Sequence, residues 1–188
     1  MTQRFYLSGF LLLTAILSGW LVWHYVMDFQ WEAPANPHHP DAFVNDLQVI
    51  VMNEAGLREY QFTSLHMLHY KENDRAAFTF PHLVMYEDNT PPWTVDALQG
   101  EAFQGDTQVR LWNKVTMVQP KGANNLPTMI NTEAAVIYPR QRLVTTDQYI
   151  SAVQPNAKAE GVGMKLDLTK QTLDLLSQVR GVYVPTKK

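Results

Sequence analysis

Between Trp93 and Met117 the chain alternates apolar and polar positions almost without error. Trp93, Val95 and Ala97 alternate with Thr94, Asp96 and Leu98, and Gln104-Gly105-Asp106 then interrupts the pattern. After it Val109, Leu111, Val115 and Met117 alternate with Gln108, Arg110, Lys114 and Thr116. Successive side chains on a strand point to opposite faces, so this period predicts two half-buried strands. A Gly-Asp turn between them predicts an antiparallel hairpin.

The same unit recurs on both sides. Phe43, Leu47, Val49 and Val51 share one parity, broken only at Asn45, and Asn53-Glu54-Ala55-Gly56 supplies a turn. Tyr60 and Phe62 lie on the return strand, which continues through Leu65 and Met67 past a bulge. After a turn at 71–74 come Phe78, Phe80, Leu83 and Met85, and residues 87–92 read as a loop. Met129 to Ile137 and Arg142 to Thr146 form a second hairpin around Pro139-Arg140-Gln141. Met164, Leu166 and Leu168 turn through Thr169-Lys170-Gln171 into Leu173, Leu175 and Val179, a third hairpin. Val109 and Val115, Leu143 and Tyr149, and Leu173 and Val179 are each six apart, a weak internal repeat. The pattern predicts an all-β domain of stacked hairpins: a sandwich, a jelly roll or an open solenoid-like sheet. Periodicity shows an oily face; it does not show whether a second sheet or a ligand covers it.

The first residues follow another rule. Tyr6 to Met27 is 22 residues without a formal charge, long enough as a helix (about 33 Å) to cross a hydrocarbon core of about 30 Å. Trp20, Trp23 and Tyr25 gather at its far end, where aromatic rings favour the membrane interface. A cleaved signal peptide would have a shorter apolar run and small residues at that end, so an uncleaved anchor is the better fit. Arg4 before it, with Asp28 and Glu32 after it, places the N-terminus in the cytoplasm. Ala15 and Gly19 form a small-xxx-small pair of the kind that admits a neighbouring helix, although any apolar stretch of this length contains such a pair by chance. Residues 31–40 carry three prolines and read as a semi-extended spacer. The expected organisation is an anchor over 1–28, a Pro-rich linker over 29–40, a β-domain over 41–184 and a tail over 185–188.

Composition mostly removes options. The chain has no cysteine and a net charge of -3, which excludes thiol chemistry and gives no reason to expect nucleic acid as a partner. There is no Gly-x-Ser-x-Gly elbow and no phosphate-cradling glycine loop. His38-His39 has no third ligand at useful spacing, and His66 and His69 fall on opposite strand faces, so no metal or cofactor is called for. Glu72, Asp74, Glu87 and Asp88 fall in expected turns, where carboxylates are common. The reading is non-enzymatic. An anchored carbohydrate-active enzyme using Asp and Glu pairs is a much weaker alternative.

Several short motifs come in a fixed order: Pro40-Asp41-x-Phe43, Asn53-Glu54-Ala55-Gly56, Tyr60-x-Phe62, His69-Tyr70, Phe80-Pro81 and Trp93-x-Val95-x-Ala97-x-x-Gly100. Ile130-Asn131-Thr132-x-Ala134, Gly161-x-x-Met164 and Val179-Arg180-Gly181-Val182-Tyr183 follow. With the anchor and spacer ahead of them, they resemble the LptC family of lipopolysaccharide export proteins of Gram-negative inner membranes. The resemblance implies a twisted, V-shaped antiparallel β-jelly roll in the periplasm, with an open groove, preceded by one N-terminal transmembrane helix. It implies a lipid-binding module that accepts lipopolysaccharide from the LptB–LptF–LptG transporter of the inner membrane and passes it to LptA. Acyl chains would then lie against Leu47, Val49, Val51, Phe62, Phe78, Phe80, Val95, Val109, Leu111, Val115, Met117, Met164 and Leu166. Val179, Val182, Tyr183 and Val184 would form the edge offered to LptA, and Phe43 and Leu47 the edge toward the transporter. Ala15 and Gly19 would pack against transporter helices, and a homodimer could use the same sheet edges. Arg110, Lys114, Arg140 and Arg142 are scattered cations that a headgroup could meet. The alternative is a membrane-tethered scaffold with a closed β core and no lipid cargo.

Overall fold

In the computed structural model the alternation of the sequence becomes an antiparallel sheet of eleven strands among the described residues. The structure describes Trp20 and residues 39–87, 90–103, 105, 107–123 and 125–184. The expected anchor with Ala15 and Gly19, most of the spacer, and the tail over 185–188 lie outside the described residues. Among the described residues no helix is long and apolar enough to cross a membrane. The chain divides into Met1–Asn36 and Pro37–Lys188, and the second unit is the one described below.

The strands are β1 (Ala42–Met52), β2 (Arg58–Tyr70), β3 (Arg75–Thr79), β4 (His82–Glu87), β5 (Thr90–Asp96) and β6 (Gln99–Phe103). They continue with β7 (Gln108–Gln119), β8 (Thr128–Tyr138), β9 (Leu143–Gln154), β10 (Ala157–Asp167) and β11 (Thr172–Tyr183). β3 and β4 behave as one bent strand: His66 opposes Thr79 and Thr63 opposes His82, with no change of register along β2. β5 and β6 are likewise one bent strand, since His82 opposes Asp96 and Thr79 opposes Gln99. The topology then reduces to a meander in chain order, from β1 to β11. Sequential hairpins need only short turns, which the Gly, Asn, Asp and Pro clusters supply.

The long strands bend near their middles. Asp46, Phe80, Asn113, Lys114 and Gln178 take positive φ between 51° and 63°, and Gly163 takes 78°. One extra residue on β7, β9 or β11 shifts the register against its even-numbered neighbour: Trp112 opposes Ala134, whereas Val115 opposes Thr132. Such bulges turn a strand sharply and interrupt its ladder. Buried hydroxyls repair part of the loss. Ser64 Oγ lies 2.9 Å from the Thr79 carbonyl, Thr132 Oγ1 2.9 Å from that of Tyr149, and Thr146 Oγ1 2.6 Å from that of Ala134.

The bends fold the meander into two leaves that pack face to face. The turn after β8 reaches back to the other leaf, where Arg142 pairs with Glu87 of β4, lies 3.9 Å from Glu59 of β2, and donates to the Tyr86 carbonyl. Between the leaves Val95, Val115, Met117, Ile130, Ile137, Val144, Ile150 and Met164 are wholly buried. Burial of one such side chain stabilises the fold by about 1.5–3 kcal/mol.

Two face assignments change. A positive φ at Asp46 reverses the parity of β1, so Phe43 points away from the interior that Leu47 and Val51 line, and it is 73% exposed. Phe80 takes φ 51° at the corner between β3 and β4 and is also exposed, while Pro81 takes its place inside. The expected loop over 87–92 is shorter, because Thr90, Pro91 and Pro92 already belong to β5.

Candidate functional site

Strand registers carry the inward residues of neighbouring strands into continuous rows. On one side of the bend the row runs Val49, Phe62, Leu83, Val95, Met117, Ile130, Ala152, Ala159 and Gly181. On the other side it runs from Val44 through Met67, Phe78, Gly100 and Leu111 to Ala135. Past the bulge on β9 it resumes with Thr146, Met164 and Leu175. Both rows cross the sheet from β1 to β11. Exposure is high at the ends and vanishes in the middle: Val49 is 38% exposed, whereas Val95 and Met117 are fully covered.

The residues expected to meet acyl chains therefore fall into three groups. Phe62, Val95, Val109, Leu111, Val115, Met117, Met164 and Leu166 lie in one buried core, covered by the opposite leaf. Leu47, Val51 and Phe78 are half-buried at its margin, and Phe78 meets Phe62 edge-on with ring centroids 4.7 Å apart. Val49 and Phe80 are exposed. The set expected to meet acyl chains omits Tyr60, Ile130, Ile137, Val144 and Ile150, all buried in the same core. Alternation marks Tyr60, but on β8 the parity reverses between Thr132 and Ala135, which hides Ile130.

Where the leaves part, a cavity of about 390 Å³ opens. Trp93 and Ile130 from one leaf and Leu166, Leu168 and Leu173 from the other form most of its apolar lining. Its polar lining includes Gln119, Asn125, Thr128, Gln154 and Gln171. A second, shallower depression of about 570 Å³ is lined by Arg110, Trp112, Val136, Lys165 and Leu176 among others.

Titratable groups sit at strand ends and on the outer face. His69 lies between Asp41 at 2.8 Å and Asp74 at 3.3 Å, and the Asp41 contact chiefly raises its pKa above the ordinary histidine value. His82 pairs with Asp96 at 2.6 Å across β4 and β5. Of the scattered cations, Arg142 is engaged in joining the leaves, and Arg110 lies over the Phe103 ring and near Glu101. Among the described residues no cluster of His, Asp and Glu is arranged to hold a metal ion.

Residues 11–184 match the model of a family described as lipopolysaccharide-assembly, LptC-related. The chain belongs to the LptC-related family. It is accordingly a non-enzymatic component of lipopolysaccharide transport. No curated protein sequence matches the chain. Among solved structures it is similar to LptH of Pseudomonas aeruginosa, the LptA-homologous periplasmic component of the conserved lipopolysaccharide transport device. The TM-score is 0.50 at 10% identity, covering 81% of this chain and 100% of that one, a likeness of fold.

Besides its interior the sheet has two edges. Among the described residues β1 pairs only with β2, and β11 only with β10. Each therefore leaves one row of backbone groups without a sheet partner. On β11 and just beyond it Leu176, Val179, Val182, Tyr183 and Val184 are 56–66% exposed. On β1, Phe43, Val49, Ile50 and Met52 are exposed as well, while Leu47 turns inward. Long apolar edges of this kind promote aggregation unless another chain adds a strand to them.

Proposed function

We propose that the β-domain is a two-ended link of a lipopolysaccharide bridge, a twisted jelly roll in the periplasm that follows an inner-membrane anchor over 1–28 and a linker over 29–40. The N-terminus lies in the cytoplasm. The observation that carries this reading is the meander itself: its two edges, β1 and β11, lie at opposite ends of the same apolar rows. The β1 edge receives the lipid from the LptB–LptF–LptG transporter, and the β11 edge with Val179, Val182, Tyr183 and Val184 docks LptA by strand addition. Acyl chains pass along the interior. Apolar burial at about 25 cal/mol per Å² gives several chains ample affinity without covalent chemistry.

The fully covered middle of the core favours a second reading, a scaffold whose interior stays closed and carries no lipid. Photocrosslinking separates the two. Phe78 is half-buried at the margin, so an aromatic photoreactive residue replaces it with little change of volume. In cells exporting lipopolysaccharide, the lipid-carrying reading expects a crosslinked lipopolysaccharide adduct at this position. Efficient crosslinking to protein alone, with no lipid adduct, would leave the scaffold reading standing.

A further inference from the structure

Behind the row Val44, Met67, Phe78, Gly100 and Leu111 runs a second one: Asn45, His66, Thr79, Gln99 and Trp112. It lies one residue along on each strand, and so on the face turned away from the interior. With Phe43, Leu68 and Ala77 it lines a depression of about 460 Å³, within the range of about 300–1,000 Å³ usual for small-ligand sites. Hydrogen bonds between strands fix the polar groups there. Gln99 Oε1 accepts from Trp112 Nε1 at 2.8 Å and from Asn113 Nδ2 at 2.9 Å. An amide oxygen has two acceptor positions, so both are used, and the end that Gln99 offers to a ligand is its NH2 group. Asn45 Oδ1 lies 2.9 Å from His66 Nδ1. The oxygen cannot donate, so Nδ1 carries the hydrogen, Nε2 of the neutral ring accepts, and Asn45 also offers an NH2 group. The indole bond pins Trp112, half-buried on the β7 side of the depression, while Phe43 on the β1 side is 73% exposed.

We propose that this depression on the outer face binds an uncharged pyranose chain. A pyranose presents C–H hydrogens on its ring faces and hydroxyls around its rim. The C–H face stacks on an aromatic ring, whose own face is negative. The hydroxyls accept from the NH2 groups of Gln99 and Asn45 and donate to His66 Nε2. An alkyl chain or an apolar side chain would suit Leu68 and Ala77, but it would strip water from those two amides and give nothing back. The ions beside the depression are bound to one another: Glu101, opposite Ala77, lies 3.5 Å from Arg75 and 3.8 Å from Arg110. The sheet itself separates this face from the interior rows, so the ligand is a glycan with no tether to a chain held between the leaves. The inference therefore stands apart from the lipid-carrying reading.

The test uses the full chain in lipid nanodiscs, labelled with 5-fluorotryptophan and titrated with chitohexaose, an uncharged hexasaccharide. The fluorine resonance of Trp112, identified by its loss in Trp112→Phe, should shift saturably, while that of the buried Trp93 stays in place. Gln99→Met keeps the length of the side chain and removes its NH2 group, and it should weaken binding about five- to tenfold, the scale of one lost neutral hydrogen bond. Ala77→Leu removes no hydrogen bond and fills the floor, and it should weaken binding at least as much. No saturable shift at Trp112, or an affinity unchanged in both variants, overturns the site. Displacement of the hexasaccharide by lipopolysaccharide would overturn the assignment to a glycan separate from the exported lipid.

Discussion

At the scale of single residues, His69 is the best-defined electrostatic contact of the β1 edge. Its Nδ1 faces Asp41, its Nε2 faces Asp74, and its carbonyl accepts from the Asp41 N–H at 3.0 Å. The hydrogen bond with Asp41 chiefly raises the His69 pKa, and the same bond chiefly lowers that of Asp41. A folded-state histidine pKa above the unfolded value gives stability that is fully present below the unfolded value. That stability is lost as pH rises through the folded value. The start of β1 is therefore expected to loosen on the alkaline side of the raised histidine pKa. An NMR titration should place the His69 midpoint above the ordinary histidine value, and Asp41→Asn should bring it down. A midpoint unmoved by Asp41→Asn would show that the pair does not form in solution. The side chain is 31% exposed, so solvent screens the effect and it acts locally on the edge.

At the scale of elements, the turn Pro139–Gln141 and the arginine after it hold one leaf to the other. Arg142 takes φ 52°, and its side chain reaches Glu59 and Glu87 on strands β2 and β4. All three side chains are only 21–28% exposed, so loss of the guanidinium leaves two half-buried carboxylates without their partner. Arg142→Ala is expected to lower unfolding stability by about 1–3 kcal/mol in chemical denaturation. The loss should shrink when Glu87→Gln is present, because the pair is then counted only once. A change within about 0.3 kcal/mol would show the clasp to be a surface ion pair of little weight. This element was half legible in the sequence. Pro139-Arg140-Gln141 reads as a turn from its residue types, but nothing local says that Arg142 meets a glutamate 55 residues away in sequence. The bends are the other illegible part. Alternation gives every hairpin, yet Asp46, Phe80, Asn113, Lys114 and Gln178 take left-handed conformations without glycine to announce them. The surrounding ladders impose those conformations, and they reverse parity along the strands that carry them. Phe43 and Phe80 lose their expected face for this reason, whereas Phe62, Val95, Val115 and Met117, on uninterrupted stretches, keep theirs.

At the scale of the whole domain, the meander separates what happens at its two ends. With β3–β4 and β5–β6 each counted as one bent strand, about eight inter-strand steps of roughly 4.8 Å lie between β1 and β11, so the edges are about 40 Å apart along the sheet. Sites at that distance with no shared partner act additively unless a two-state element couples them. The filled middle of the core supplies no such element: Val95, Met117, Ile130 and Met164 are wholly buried, and close-packed cores leave little freedom to switch. Phe43 is 73% exposed on β1 and Tyr183 66% exposed on β11, and neither belongs to the core, so a charge at either position costs the fold little. Phe43→Asp is expected to weaken capture of the transporter at least about tenfold, a loss of about 1.4 kcal/mol, and leave LptA capture unchanged. Tyr183→Asp should do the reverse. The double variant should lose both by the product of the single effects, measured by co-purification of each partner with the full chain. If Phe43→Asp alone weakens LptA capture, the two ends are coupled through the interior, and the lipid path must then open and close as a unit.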